Sequence, residues 1–465
     1  MNNYDKPHEE CGVFGIYDND GYDCALMSYY ALYALQHRGQ ESCGIAINDD
    51  GTIVSHKDVG IVPEVFDEVI LNHLKNGKMG IGHCKYAMEG QGGRQNAQPL
   101  VVKYVKGSLT ISYNGSLVNA EQIRIPLEQS GAIFQTTTDS ELIAYLIARE
   151  RLKCGSIEEA ISGVMSQLHG AYAVVLMSPR KLIGFRDPNG LKPLALGKLG
   201  NSYVFASESV AFDAIGAEFI RDLEPGELVM VNEEGCHSYR EHCGNESNIC
   251  IFEYIYFARP DSVIDGMSVH EARKEAGRIL AREYPVDADI VIGVPDSGIS
   301  ASLGYAEESG IPYETGLIKN RYIGRTFIQP QQSQREEGVM IKLNALKQCV
   351  EGKRVIMVDD SIVRGTTCRR IVRLLKEAGA VEVHVRISSP PFKYPCYYGT
   401  DIPSENDLVA TGNSLEDIKN IIEADSLGYL SIEGTKRIVS DKLCNACRAC
   451  FTGEYPIPVD GLANR

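Results

Sequence analysis

One stretch limits the architecture of this chain more than any other: Val355-Ile-Met-Val-Asp-Asp-Ser-Ile-Val-Arg-Gly-Thr-Thr367. The unbroken apolar run Val355 to Val358 reads as a buried strand. Ile371, Val372, Leu374 and Leu375, followed by Ala378 and Gly379, read as an amphipathic helix with a glycine stop. Between strand and helix lies a small-residue turn whose backbone amides, Val363 to Thr367, would be unpaired at a helix start. Such amides bind a phosphate through their N–H groups and the positive end of the helix dipole. Asp359 and Asp360 would then hold ribose hydroxyls, and together these features describe a site for a phosphorylated sugar. An isolated acid pair is more often a solvated turn; the whole stretch is far more specific.

The segment resembles the PRPP (phosphoribosylpyrophosphate) motif of type I phosphoribosyltransferases. That resemblance implies PRPP contacts from Asp359, Asp360, Ser361, Val363, Arg364, Gly365, Thr366 and Thr367. Pro295-Asp-Ser297 follows the apolar run Asp289 to Val294, as a second substrate loop of that fold would. Lys319-Asn-Arg-Tyr-Ile-Gly-Arg-Thr326 is a basic segment suited to a displaced diphosphate, through Lys319 and Arg321. Lys342 completes the implied set, and Met340 stands where an arginine is usual. Mg²⁺ on the diphosphate is implied at Ser297, Asp359 and Asp360.

Composition narrows the partners. The chain has 465 residues, 44% apolar and 23% charged, enough for two or three domains with proper cores. A net charge of −16 opposes non-specific binding to nucleic acid, which needs a basic face. Met1 to Glu10 has no apolar signal region, and the apolar run Ala171 to Met177 is too short to span a bilayer. A cytoplasmic protein with no membrane partner is the expectation. The 14 cysteines then read as reduced thiols and metal ligands rather than a disulfide framework.

The first half alternates β-rich runs with glycine turns, and from about Asn248 short apolar strands alternate with helical stretches. A seam is expected near His237 to Asn248, between strand-like Glu227 to Val231 and strand-like Ile249 to Phe252. The expected domains are 11–240 and 248–420, with a cysteine-bearing tail over 421–465.

His8-Glu-Glu-Cys11-Gly-Val-Phe-Gly15 resembles the start of an N-terminal-nucleophile glutamine amidotransferase, in which a short propeptide, here 1–10, is removed. Removal has a chemical reason. A free α-amine titrates near pH ~7.7–8.0 and can serve as the thiol's general base, whereas a peptide nitrogen cannot. Leu35-Gln-His-Arg-Gly-Gln-Glu41, Gly82-His-Cys-Lys-Tyr-Ala87, Tyr113-Asn-Gly-Ser-Leu-Val-Asn119 and Thr138-Asp-Ser-Glu141 follow in that family's order. The resemblance makes Cys11 the nucleophile and Asn114 with Gly115 the oxyanion hole, worth roughly 3–4 kcal/mol per donor. It assigns Asp139 to the substrate α-ammonium, Lys85 to its α-carboxylate, and Arg38 and Gly39 to the pocket wall. Lys85, Met88 and Tyr113 replace the family's usual arginine, threonine and histidine. A forked guanidinium thus becomes a point charge, so glutamine affinity is the property expected to change.

Cys447 and Cys450 form a Cys-x-x-Cys pair, Cys444 lies three residues earlier, and Cys250 and Cys396 are isolated. Four thiolates suit zinc or a [4Fe-4S] cluster, and their spacing does not decide. Taken over the whole chain, the resemblance is to glutamine PRPP amidotransferases of the cluster-containing branch, which implies [4Fe-4S] on Cys250, Cys396, Cys447 and Cys450. Cys444 is left over. That family implies an αββα sandwich followed by a doubly wound parallel sheet. It also implies glutamine and PRPP as substrates, purine nucleotides as inhibitors, and a homotetramer.

Overall fold

The structure, a computed structural model, describes residues 11–75, 77–86, 92–320, 343–402, 405–439, 443 and 445–459. The candidate propeptide 1–10 lies outside them.

The N-terminal half is built on two antiparallel sheets. The first has seven strands in the spatial order Glu218–Asp222, Ala195–Leu199, Ser202–Ala206, Gly12–Tyr17, Met79–Lys85, Ser42–Asp49 and Thr52–Val59. The second has six: Gly235–Tyr239, Leu228–Asn232, Leu182–Arg186, Gly170–Met177, Gly107–Leu117 and Leu100–Tyr104. Val13, Ala46 and Ile81 of the first sheet pack on Val175, Leu182 and Val229 of the second. The outer face of the first sheet is covered by the helix Cys24–Ala34, through Ala31 and Leu32 against Phe14 and Ile45. The helices Asp139–Arg151 and Ile157–Met165 cover the second sheet. With both faces of its sheet buried, the central strand Gly170–Met177 is apolar throughout. The four layers are the expected αββα sandwich.

The C-terminal half carries a parallel sheet of Ile290–Gly293, Arg354–Asp359, Glu382–Ile387 and Ser426–Tyr429, in that spatial order. Helices lie on both faces. Val269–Glu283 and Gly298–Ser309 pack with Val291 and Val358, whereas Thr366–Glu377 packs through Ile371, Val372 and Leu375 on Val355 and Met357. The expected strand and amphipathic helix flanking the acid pair are present, and Gly379 follows the helix at φ +100°.

Three boundaries differ from expectation. The seam begins later than His237, because Gly235–Tyr239 pairs with Leu228–Asn232 as an edge strand. Ile249 to Phe252 is not a strand: Cys250 makes one parallel bridge to Cys447, and the chain then turns into a π-helical segment, Glu253–Phe257. The tail does not start at 421, because Ser426–Tyr429 is the fourth strand of the parallel sheet. That strand is four residues long and contains Gly428, which lies against the Tyr284 ring, so it carries no β-branched signal. Among the described residues no helix is long and apolar enough to cross a membrane.

Candidate active sites and cysteine centre

The first site lies where the two sandwich sheets meet at the start of the chain's described part. Cys11 precedes the strand Gly12–Tyr17, whose Gly12 stands opposite Cys84, and its Sγ is 3.7 Å from the Tyr86 carbonyl. Lys85 is buried, and its ammonium donates to the Asn96 carbonyl at 3.0 Å. Burial pushes its pKa down, while the nearby Cys11, Glu41 and Asp139 oppose that shift. Asp139 opens the helix Asp139–Arg151, a favourable position for a carboxylate. It accepts from the Leu117 amide at 2.9 Å and the Tyr113 hydroxyl at 3.3 Å. Tyr113, in place of the family's histidine, therefore ties the strand Gly107–Leu117 to this helix.

Asn114 and Gly115 lie near the end of that strand. Asn114 is 1% exposed, and its Nδ2 has no hydrogen-bond partner. A buried donor left unsatisfied costs about 1–3 kcal/mol, the cost expected of a group kept ready for an acceptor. Gly115 has φ +146°, and an added Cβ would come 2.0 Å from the Ala171 carbonyl oxygen, so glycine is required by both conformation and space. Gly39 is required by space alone, since a Cβ there would come 2.5 Å from the Lys85 carbonyl carbon.

Arg38 is turned toward the other half of the chain. Its Nε donates to the Cys11 carbonyl at 3.2 Å, and its terminal nitrogens reach Glu208 at 2.6 Å and Glu253 at 2.6 and 3.0 Å. All three side chains are fully buried. Burial alone would raise the Glu208 pKa, but His37 and Arg38 outweigh it and hold the carboxyl ionised well below the usual range. Sequence reading misses Glu208 and Glu253; Glu253 is 215 positions from Arg38, and no local pattern pairs them. The link from the Tyr86 hydroxyl to Asp401, at 3.2 Å, is equally invisible.

The second site is at the carboxyl end of the parallel sheet. Asp359 and Asp360 close the strand Arg354–Asp359, both buried. The Asp360 carboxylate accepts from Ser361 Oγ at 2.6 Å and from Ser297 Oγ, so the two predicted substrate loops are joined through it. Asp359 Oδ1 accepts from the Asp360 amide at 2.9 Å. Val363 is buried, and Gly365 caps the helix that begins Thr366-Thr367. Arg364 lies 3.9 Å from Asp407, and Lys319 pairs with Asp296 at 2.6 Å. Arg321, Lys342, Met340 and Met88 lie outside the described residues.

Cys250, Cys396, Cys447 and Cys450 line one cavity, with Leu191 and Lys192 from the sandwich and Phe252, Tyr398, Thr400 and Ile402 from the second half. Residues far apart in sequence meet here because Cys250 bridges Cys447 and its amide donates to the Leu191 carbonyl at 3.2 Å. Burial pushes the Cys447 thiol up to about 12, with the Ala449 amide opposing. Burial likewise raises Cys450 far above a free thiol. Among the described residues no three such side chains are close enough to hold one ion. Cys444 lies outside them.

A thiol at the head of an αββα sandwich, joined to an acid pair on a parallel sheet, defines a glutamine amidotransferase fused to a phosphoribosyltransferase. Residues 85–214 match the glutamine amidotransferase domain family and residues 267–389 the phosphoribosyl transferase domain family. The chain is 51% identical to the amidophosphoribosyltransferase of Bacillus subtilis, covering 97% of this chain and 95% of that protein. It is 48% identical to that of Archaeoglobus fulgidus, covering 97% and 99%. The solved structure of the Bacillus subtilis glutamine PRPP amidotransferase complexed with ADP and GMP superposes with a TM-score of 0.90 at 50% identity, covering 97% of this chain and 98% of that one. This chain belongs to the amidophosphoribosyltransferase family. It carries out the glutamine-dependent conversion of PRPP to phosphoribosylamine in purine biosynthesis.

Proposed function

We propose that removal of residues 1–10 makes Cys11 the N-terminus and that its own α-amine takes the thiol proton. The thiolate then attacks the glutamine side-chain carbonyl carbon, and the developing oxyanion is received by Asn114 Nδ2 and the Gly115 amide. The supporting observation is the buried, unpartnered Asn114 nitrogen, a donor directed at no protein acceptor. Collapse of the intermediate breaks the C–N bond, ammonia leaves with the transferred proton, and water hydrolyses the thioester to glutamate. Asp139 and Lys85 hold the substrate's α-ammonium and α-carboxylate, and Arg38 and Gly39 fix the backbone of the pocket wall.

In the second half, ammonia displaces pyrophosphate from the anomeric carbon of PRPP with inversion. The amides of Val363 to Thr367 take the 5'-phosphate, with Ser361 and Arg364 beside it, and Asp359 and Asp360 take the ribose hydroxyls. Lys319, Arg321 and Lys342 receive the diphosphate. Ser297, Asp359 and Asp360 would hold Mg²⁺, which would neutralise leaving-group charge; the Ser297 hydroxyl and the Asp360 carboxylate already meet there. Purine nucleotides share the ribose 5-phosphate and inhibit at the same loop, a reading supported by the ADP and GMP in the Bacillus subtilis structure.

Cys250, Cys396, Cys447 and Cys450 hold a structural [4Fe-4S] cluster. The supporting observation is that the four cysteines line one cavity, as the four thiolate ligands of a cluster would. Localisation in the cytoplasm and a homotetramer complete the proposal; light scattering tests the latter.

The test of the reaction is glutamate release by anaerobically purified protein, with and without PRPP and Mg²⁺, beside Cys11→Ala. PRPP-stimulated release that the substitution abolishes is expected. Absence of release from protein beginning at Cys11 would overturn the glutaminase assignment.

A further inference from the structure

We propose that His83 is a positioning residue for the glutaminase reaction, holding the oxyanion turn through a hydrogen bond from its Nε2–H to the Tyr113 carbonyl. The inference rests on the reading of Asn114 and Gly115 as the oxyanion donors. His83 lies on Met79–Lys85, paired across the strand with Val13, and is fully buried. Its Nε2 is 2.9 Å from the Tyr113 carbonyl oxygen.

A carbonyl can only accept, so this contact requires hydrogen on Nε2 and leaves Nδ1 bare. Nδ1 is buried with no partner, as that tautomer allows. Burial pushes the His83 pKa down to about 3, with Lys85 and Lys57 adding to the effect, so the ring stays neutral. The Tyr113 carbonyl belongs to the peptide that enters Asn114. Its other side is held by Gln98, whose Oε1 accepts from the Tyr113 amide at 2.9 Å and whose Nε2 lies 3.5 Å from the same carbonyl. The strand Leu100–Tyr104 pairs with Gly107–Leu117 only as far as Ile111, so beyond that point this edge has no ladder partner on that side. His83 and Gln98 replace the missing strand. They fix the plane of the peptide before Asn114 and therefore the direction of its side chain. The histidine contact spans from one sandwich sheet to the other, so it also bears on the distance between Cys11, just before the first sheet's strand Gly12–Tyr17, and Asn114 on the second.

The experiment compares His83→Leu, His83→Gln and Asn114→Ala in mature full-length protein, measuring glutaminase kcat and KM and, separately, ammonia-dependent phosphoribosylamine synthesis. His83→Leu is expected to lower glutaminase kcat by roughly 10- to 100-fold, the scale of a small misplacement of reacting groups. Its KM for glutamine should stay within about twofold and its ammonia-dependent rate unchanged. His83→Gln, which can donate from a similar place, should recover much of the loss. In wild-type protein, ¹⁵N NMR of the ring should show the Nε2–H tautomer at neutral pH. An unchanged kcat, a failure of glutamine to rescue, an Nδ1–H tautomer, or equal loss of ammonia-dependent synthesis would each overturn the proposal. If Asn114→Ala kept full glutaminase activity, the oxyanion assignment itself would fail; a loss in that variant beside an unaffected His83→Leu would reject His83 alone.

Discussion

Gly399 of the phosphoribosyltransferase half lies directly against Gly115 of the glutaminase half. A Cβ built on Gly399 would come 3.2 Å from the Gly115 carbonyl carbon and 3.3 Å from its oxygen. Three residues earlier, Cys396 lines the cysteine cavity, and two residues later Asp401 accepts from Tyr86, whose carbonyl is the neighbour of Cys11 Sγ. One short segment thus touches the cysteine cavity, the Asn114-Gly115 turn and the surroundings of Cys11.

Gly399→Ala should therefore disturb the glutaminase more than the transferase. The position has φ +110°, which strains any L side chain, and the new methyl would press on the Gly115 peptide. A fall of roughly tenfold in glutamine-dependent synthesis is expected, with ammonia-dependent synthesis nearly unchanged. Parallel loss of both rates would show that the contact serves the fold alone.

The buried Arg38 guanidinium depends on two carboxylates, Glu208 from the first half and Glu253 from the second. Glu253→Gln removes one charge without changing shape. Because Glu208 remains, the cost should be about 2–4 kcal/mol, somewhat below that of leaving a buried charge wholly unpaired. Denaturant unfolding of mature protein reads it directly, and a change under about 0.5 kcal/mol would contradict the account.

A second link between the halves responds to pH. Arg186 is fully buried and pairs with Asp265 at 2.8 Å. Burial, then the Asp265 carboxylate, push the nearby Asp222 up to about 7, against the pull of Arg186. The folded state therefore keeps a proton on Asp222 that the unfolded chain has lost, and its contribution to stability falls as pH rises from about 4 to 7, then levels off. Asp222→Asn should flatten this slope and stabilise the protein at pH 8 by on the order of 1 kcal/mol. Unfolding midpoints of both proteins at pH 5 and pH 8 decide it; identical slopes would reject the assignment.

Cys447→Ser is expected to leave protein with little bound iron or sulfide and a lower melting temperature. With the Cys447 and Cys450 thiols pushed up by burial, a metal is what would make them favourable as thiolates in this apolar cavity. Iron, sulfide and zinc analysis of anaerobically purified wild type and variant tests this. Stoichiometric zinc in the wild type would replace the cluster reading.

Contiguous patterns in the chain were enough for much of this protein. The apolar run ending in Asp359-Asp360, the helical spacing after Gly365 and the ordered glutaminase motifs each lie within a few residues, where backbone geometry ties pattern to structure. The Cys-x-x-Cys spacing likewise keeps Cys447 and Cys450 together, and both line one cavity. Contacts that depend on chain closure were not legible. Gly428 hides the last strand of the parallel sheet, because a buried four-residue strand packed on Tyr284 has no alternation to display. The contact of His83 with the Tyr113 carbonyl, the pairing of Arg38 with Glu253 and the placing of Gly399 on Gly115 join residues distant in sequence. Each is a matter of which polar groups lose water together, and burial is a property of the packed molecule rather than of any segment.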